Sequence, residues 1–370
     1  MVAGRVCLIP NNHRYLRIIT AGAGECYSNG NVFCNMVAGG VSRCPSRVDH
    51  GRVSLLLMPL FLGVDGGKSS TKAVIGEESG GVLGTGVGGP CNHVAEALGR
   101  ERLAQAVTEC IALACAQAGI DASAVQFGAA CFGMSGGPAD KQAILAGILR
   151  AKKLIVTHDM LIALSGATGG DPGVAVNAGT GSFGFGRNAS GETARAGGWG
   201  FVFGDEGSGF DIARQALRAA LRYEEGWGPE TSLDAALLES TGARDANELL
   251  HHFYTPEWPR PRVAALARLV DSVALAGDAV ARDILLNAAQ QLATLATSVG
   301  RRLFRAGEPM LVCHIGGVFQ SGILLERYRQ IVELEEGARC AAPRYTPALG
   351  ALLEAYRAAG IHPKLRGIPE

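Results

Sequence analysis

The stretch "LGVDGGKSSTKAV" (residues 62–74) carries the Gly-Gly-Lys-Ser of a phosphate-binding P-loop without its spacing. A P-loop has four residues between two glycines before Lys and Ser/Thr, so that successive backbone N–H groups wrap the phosphates. Here Gly63 and Gly67 enclose only Val64, Asp65 and Gly66, and Leu62 stands where the first glycine belongs. Asp65 would also turn a carboxylate toward the phosphates, which repels unless a metal ion lies between them. The stretch reads instead as a strand, a tight glycine turn and a returning strand, "STKAVIG".

Working outward, "EESGG" is a second turn and "VLGTGVGG" a third strand. A long helix near 94–118 follows, then a buried strand "VQFGAACFGMSG", a helix near 139–151, the strand "KLIVTHD" and a helix starting at Met160. Near 173 the opening theme returns: "GVAVNAGTGSFGFGR" is again strand, glycine turn, strand, and "NASGE" makes the next hairpin turn. Two units that each begin with such a hairpin predict a duplicated α/β fold with a cleft between the halves. The second half becomes mostly helical, at 208–223, 263–276 and 278–305. "MLVCHIGGVF" is a last strand, and "TPALGALLEAYRAAG" closes the chain as an amphipathic helix. The expected division is a first lobe over 58–176, completed by the C-terminal helix 346–360, and a second lobe over 177–345. Residues 1–57 show little periodicity and hold four of the ten cysteines. They are expected to be disordered or no part of the natural mature chain, with the working domain starting at Met58.

At 370 residues, 48% hydrophobic and 18% charged, the chain can bury a sizeable core in two domains. Its formal net charge of zero gives no footprint for nucleic acid or an anionic membrane. The longest apolar run, at 53–64, is too short to span a bilayer and lies too far in to be a signal peptide. A cytoplasmic protein acting on a small partner is expected. The cysteines form no C-x-x-C pair, so they read as small core residues, and no zinc is expected.

Gly179, Gly181 and Gly184 spell G-x-G-x-x-G, as do Gly84, Gly86 and Gly89. The dinucleotide fingerprint requires its last glycine to open a helix. Neither does, which argues against a nicotinamide-binding domain.

Taken together, "DGGKSSTKAV" at 65–74, "THD" at 157–159, "AGTGS" at 178–182 and "GGWGFVFGDEGSG" at 197–209 resemble the BadF/BadG-type ATPases of the actin, Hsp70 and sugar kinase superfamily. Within that family they are most similar to the N-acetylglucosamine and glucosamine kinases. "AGDAVARDILLNAAQQLA" at 276–293 and "GGVFQSG" at 316–322 extend the resemblance over about 58–360. It implies two ribonuclease H-like, actin-like ATPase lobes around a nucleotide cleft, a homodimer, and ATP-dependent phosphorylation of the 6-hydroxyl of an amino sugar, with ATP and Mg²⁺ as cofactors.

The same resemblance implies the site. Gly66 and Gly67 permit close approach of the phosphates, Ser69 and Thr71 donate hydroxyls, and Asp65 faces Mg²⁺ through its water shell. Lys68 is either a phosphate contact or a solvated turn residue. Gly179, Thr180 and Gly181 form a second phosphate turn, and Gly316 and Gly317 line the adenosine side. Asp159 is the candidate general base, its competing role being a helix cap. Sugar recognition falls to Asn92, Asp159, Gly198, Trp199, Gly200 and Asp205, with Trp199 either an apolar platform or core. Glu206 and Ser208 read as caps of the helix beginning near 209, and Glu206 is assigned no sugar contact. The alternatives are an ATP-driven activator of 2-hydroxyacyl-CoA dehydratases, which needs cluster-ligating thiolates near the glycine turns, and a non-catalytic sugar- or nucleotide-binding regulator.

Overall fold

The computed structural model describes residues 59–67, 69–91, 98–136 and 139–368, together with four strands near the N-terminus. Those strands make two hairpins, β1 (Val6–Asn11) with β2 (Arg14–Ile19) and β3 (Glu25–Ser28) with β4 (Asn31–Asn35). The expectation of disorder over 1–57 otherwise falls on residues outside those described. Residues 1–57 and 58–370 form two separate units.

In the second unit, β5 (Leu60–Gly66), β6 (Thr71–Glu77) and β7 (Val82–Gly88) are an antiparallel meander. On the other side of β5 lies β8 (Gln126–Met134), in parallel. It also pairs with the short β9 (Arg150–Ala151) and with the parallel β10 (Leu154–His158). The connections carry α1 (Gly99–Ala118) and α2 (Gln142–Ile148), and α3 (Asp159–Thr168) follows β10. A second sheet repeats the plan. In it β11 (Gly173–Ala178), β12 (Ser182–Arg187) and β13 (Thr193–Gly197) form the meander. Then come α4 (Gly209–Glu224), α5 (Leu233–Thr241), α6 (Ala246–His252), α7 (Arg260–Ala265), α8 (Ala267–Leu275) and α9 (Ala279–Leu303). Strand β14 (Met310–Ile315) runs parallel to β11, α10 (Gly322–Val332) leads to the parallel β15 (Ala338–Ala341), and α11 (Pro347–Ala359) ends the fold. The strand orders β7-β6-β5-β8-β10 and β13-β12-β11-β14-β15 match position for position. This is the duplicated ribonuclease H-like, actin-like fold.

The continuous apolar run of β5 is explained by helices on both faces of the sheet. Leu62 and Val64 pack with Leu103 and Val107 of α1, and Phe61 and Val74 with Leu352 and Tyr356 of α11, all of them buried. Thus α11, the last helix of the chain, covers the first sheet at β5, β6 and β8. It also crosses α3, which reaches back to β11 and β14 of the second sheet. The α3–α11 crossing is close because both helices are glycine there. A Cβ on Gly350 would overlap the Ile162 carbonyl, and one on Gly166 the Thr346 carbonyl. Gly350→Ala is therefore expected to destabilise the protein by about 1–3 kcal/mol, as overpacking does. A denaturant midpoint equal to that of the native protein would contradict this.

At the same junction Arg187 of β12 donates through both Nη atoms to Glu354 of α11, at 2.9 and 2.8 Å. Ser165 of α3 donates to the same carboxylate. All three side chains are buried, so this bidentate pair ties the second sheet to the helices of the first.

Several elements differ from expectation. The helix expected at 263–276 is two helices, α7 and α8, meeting at Leu266. Helices α5 and α6 arise where none was foreseen, separated by Gly242 with φ of +74°. Residues 92–97, including the start expected for the first long helix, lie outside those described.

Candidate active site

Both glycine turns sit at corresponding corners of the two sheets. In the first, Gly67 N–H donates to the Ser70 carbonyl at 3.1 Å, closing the β5–β6 turn with Ser69 exposed at its tip. Lys68 and Asn92 lie outside the described residues. Thr71 departs from its expected role. Its hydroxyl is fully buried, donates to the Gly89 carbonyl at 2.8 Å and lies 2.8 Å from Cys91 Sγ. Cys91 N–H in turn donates to the Gly67 carbonyl at 3.0 Å. So Thr71 braces the turn from behind and, in this arrangement, offers phosphate no donor.

Asp65 and Asp159 stand at the carboxyl ends of β5 and β10, with β8 between them, where open α/β sheets collect ligand groups. Burial first, then the nearby Asp159 carboxylate, push the Asp65 pKa up from the ordinary 3.8 to about 6, against a smaller opposing effect of Lys72. Asp159 is the first residue of α3 and makes no cap hydrogen bond. Its Oδ2 instead accepts from Ser135 Oγ at 2.8 Å. Ser135 was missed in the sequence, although "MSGG" puts a hydroxyl and two glycines at the end of the central parallel strand. The capping alternative for Asp159 thus gives way to a carboxylate aimed by a neighbouring strand.

The second turn is braced from the loop that follows β13. Gly179 N–H donates to the Gly181 carbonyl at 2.9 Å, and Gly209 N–H, at the start of α4, donates to the Gly179 carbonyl at 2.8 Å. Ser182 Oγ donates to the Glu206 carbonyl at 2.6 Å and Ser182 N–H to Asp205 Oδ1 at 3.2 Å. Asp205 Oδ2 accepts from Arg260 at 3.0 Å. Ser208 is the cap of α4, its Oγ accepting from Asp211 N–H at 3.2 Å.

Gly179, Thr180 and Gly317 line one cleft of about 390 Å³, with Pro261 and Ala264 of α7, Asp271 of α8, and Gln320 and Ser321. Gly316, at φ +107°, turns the chain past the Ala178 carbonyl, too close for any Cβ. In the cleft wall Ser321 Oγ donates to Asp271 Oδ1 at 2.5 Å. The size and the glycine-rich floor suit a nucleotide.

Trp199 is 67% exposed, which excludes the core alternative. The Arg195 guanidinium lies over its ring, 4.5 Å from the centroid. Gly198 and Gly200 on either side have φ of +75° and +82°, and the neighbouring Val202 and Phe203 are also exposed. An apolar, glycine-hinged loop therefore borders Asp205.

Cys91, Cys110, Cys115, Cys131, Cys313 and Cys340 are buried and free, and burial pushes Cys110 up to about 12 and Cys313 and Cys340 up to about 11. Such thiols stay protonated. Among the described residues there is no cluster of three or more metal-ligating side chains, and no helix is long and apolar enough to cross a membrane.

The sequence profile of the BadF/BadG/BcrA/BcrD ATPase family matches residues 62–355. The chain is 31% identical over 297 residues to the N-acetylmuramic acid/N-acetylglucosamine kinase of Clostridium acetobutylicum, spanning 75% of this chain and 91% of that one. It is 31% identical over 312 residues to the N-acetyl-D-glucosamine kinase of Dictyostelium discoideum, spanning 80% and 97%. A crystal structure of a proposed N-acetylglucosamine kinase from Chromobacterium violaceum superposes with a TM-score of 0.64 at 28% identity, covering 80% of this chain and 98% of that one.

Proposed function

The chain belongs to the BadF/BadG/BcrA/BcrD ATPase family, and from that premise we propose that it is an ATP-dependent kinase acting on the 6-hydroxyl of N-acetylglucosamine or glucosamine. Two relatives that are kinases of N-acetylated amino sugars, similar over most of their length, support sugar kinase activity and the use of ATP. The single observation that carries the reading to this chain's own residues is the Asp65–Asp159 pair at the carboxyl ends of the two strands that flank β8, with Ser135 aiming Asp159.

A sugar hydroxyl is a poor nucleophile, and Asp159 accepts its proton as the oxygen attacks phosphorus. Ser135 fixes the rotamer of that carboxylate. Asp65 fits a divalent cation: a half-buried carboxylate whose proton affinity is raised by burial and then by a second carboxylate is a donor that positive charge relieves. Mg²⁺ held by Asp65 through water would neutralise charge on the phosphates. The backbone of Gly66 and Gly67, Ser69, and the turn of Gly179, Thr180 and Gly181 receive the phosphates, while Gly316 and Gly317 border the adenosine. The sugar is received by Asn92, Gly198, Trp199, Gly200 and Asp205, and closure of the two lobes excludes water. A cytoplasmic homodimer completes the reading, resting on the family resemblance.

The test is Mg²⁺-dependent ADP release across N-acetylglucosamine, glucosamine, N-acetylmannosamine, glucose and no sugar. Release stimulated strongly by one of the two named sugars is the expected result. Equal release with and without sugar would overturn the kinase reading.

A further inference from the structure

Arg260 lies where the nucleotide cleft meets the sugar loop. It opens α7, and the residues just after it, Pro261 and Ala264, line the nucleotide cleft. Its guanidinium donates to Asp205 Oδ2 at 3.0 Å and lies over the Phe201 ring, 4.5 Å from the centroid.

Three features set this ion pair apart from a solvated surface pair. First, Asp205 has φ of +64°, a left-handed conformation that a residue with a Cβ adopts at a cost. Second, its other oxygen accepts from Ser182 N–H, and a Cβ on Gly181 would fall 2.8 Å from the carboxylate. One carboxylate therefore separates the guanidinium from the second phosphate turn. Third, Arg260 donates only to Asp205 among the described residues. Its Nε is buried with no hydrogen-bond partner there, while the side chain as a whole keeps 38% exposure. An arginine with most of its donors unused, beside a turn built for phosphate, is poised to bind an oxyanion.

We propose that Arg260 is a further catalytic residue of phosphoryl transfer, parked on Asp205 in the sugar-free protein and released to the transferring phosphoryl group when sugar hydroxyls claim Asp205. This rests on the kinase reading and on Asp205 as a sugar contact. In the step, the bond from the sugar 6-oxygen to the γ-phosphorus forms as the bond to the β–γ bridging oxygen breaks. The proton goes to Asp159, and the bridging oxygen leaves with ADP. Arg260 changes no covalent bond. It supplies donors and positive charge to phosphoryl oxygens whose charge is redistributed in the transition state. Without sugar, Asp205 cancels that charge, so attack by water gains nothing from it. Sugar thus switches on a group that water cannot.

The test uses Arg260→Ala and Arg260→Lys beside the native protein, with thermal midpoints measured for each. In Arg260→Ala, kcat with the preferred sugar is expected to fall about 100-fold or more, the scale of losing one transition-state donor, with the sugar KM nearly unchanged. Calorimetry should show affinity for ADP with aluminium fluoride and sugar, a mimic of the transferring group, falling by a similar factor. Affinity for ADP alone should stay at the native value. Ethylguanidinium should restore part of kcat. Asp205→Asn should raise sugar-independent ATP hydrolysis, and the double variant should not. A kcat in Arg260→Ala close to native, or equal losses for ADP and for the aluminium fluoride complex without rescue, would overturn the proposal. Should Arg260→Ala fail to fold, Arg260→Lys decides: it keeps the charge and loses the fork, and a native kcat together with native affinity for the mimic overturns the proposal. Native protein that transfers phosphoryl to no sugar sinks the kinase reading instead.

Discussion

Asp159→Asn is expected to lower kcat by about a thousandfold, within the range of removing a positioned general base, while ATP and sugar KM values change little. Asparagine keeps the shape of the side chain and an oxygen that can accept from Ser135 Oγ, so α3 and its crossing with α11 should be undisturbed. What it loses is the capacity to take the proton of the attacking hydroxyl. The substitution also reads out in a second way. Asp159 is one of the two causes that raise Asp65, the larger being burial. Removing its charge should move the titration of Asp65 to lower pH without returning it to the ordinary value. Binding of Mg²⁺ to the native protein should weaken as pH falls through about 6, and in Asp159→Asn that limb should lie at lower pH. A variant with kcat within tenfold of native would remove Asp159 from catalysis. An unmoved Mg²⁺ limb would mean that the two carboxylates do not sense each other in solution.

The two hairpins were legible because each joins a strong β-pattern to a glycine turn, and their recurrence implies the matched sheets. The positions of Asp65, Asp159 and the Gly179–Gly181 turn at strand ends were legible on the same ground, while the roles expected of them came from the family resemblance. Thr71 misled because its position beside the turn suggested an outward hydroxyl. Its pairing opposite Gly66 instead turns it toward the buried side, where the Gly89 carbonyl accepts its hydrogen bond. Ser135 left only a faint trace, and Arg260 none. "EWPRPR" has no period, and nothing local says that its first arginine reaches a carboxylate 55 residues earlier. Strand β15 escaped notice because "ARCA" is only four residues long and interrupted by an arginine, and only its parallel pairing with β14 makes it a strand. Sequence periodicity reports the elements well. Long-range pairs that close a site depend on how loops return, and that is carried by the assembled fold.

Asp65→Asn is expected to make the metal-free protein more stable above pH 7 and inactive. The fold raises the Asp65 pKa from 3.8 to about 6, so it favours the protonated carboxyl over the carboxylate. A carboxyl group raised on folding keeps its neutral-form stability below the unfolded value near 4 and loses it as pH climbs through about 6. Above that pH the native protein holds an ionised carboxylate in a site that disfavours it, by up to about 3 kcal/mol for a two-unit shift and less where solvent reaches the group. Asparagine cannot ionise and avoids that cost. The metal-free variant should therefore melt about 2–6 °C higher than native at pH 8, with the two midpoints converging toward pH 4. Adding Mg²⁺ and nucleotide should reverse the order, because only the native protein gains their full binding energy. Melting curves at pH 4, 6 and 8, with and without Mg²⁺ and nucleotide, decide the matter. If Asp65→Asn is less stable than native at pH 8 without metal, Asp65 is a structural carboxylate with a favourable partner. If the order reverses on adding Mg²⁺ and nucleotide, the destabilised carboxylate is what the site keeps in order to hold the metal.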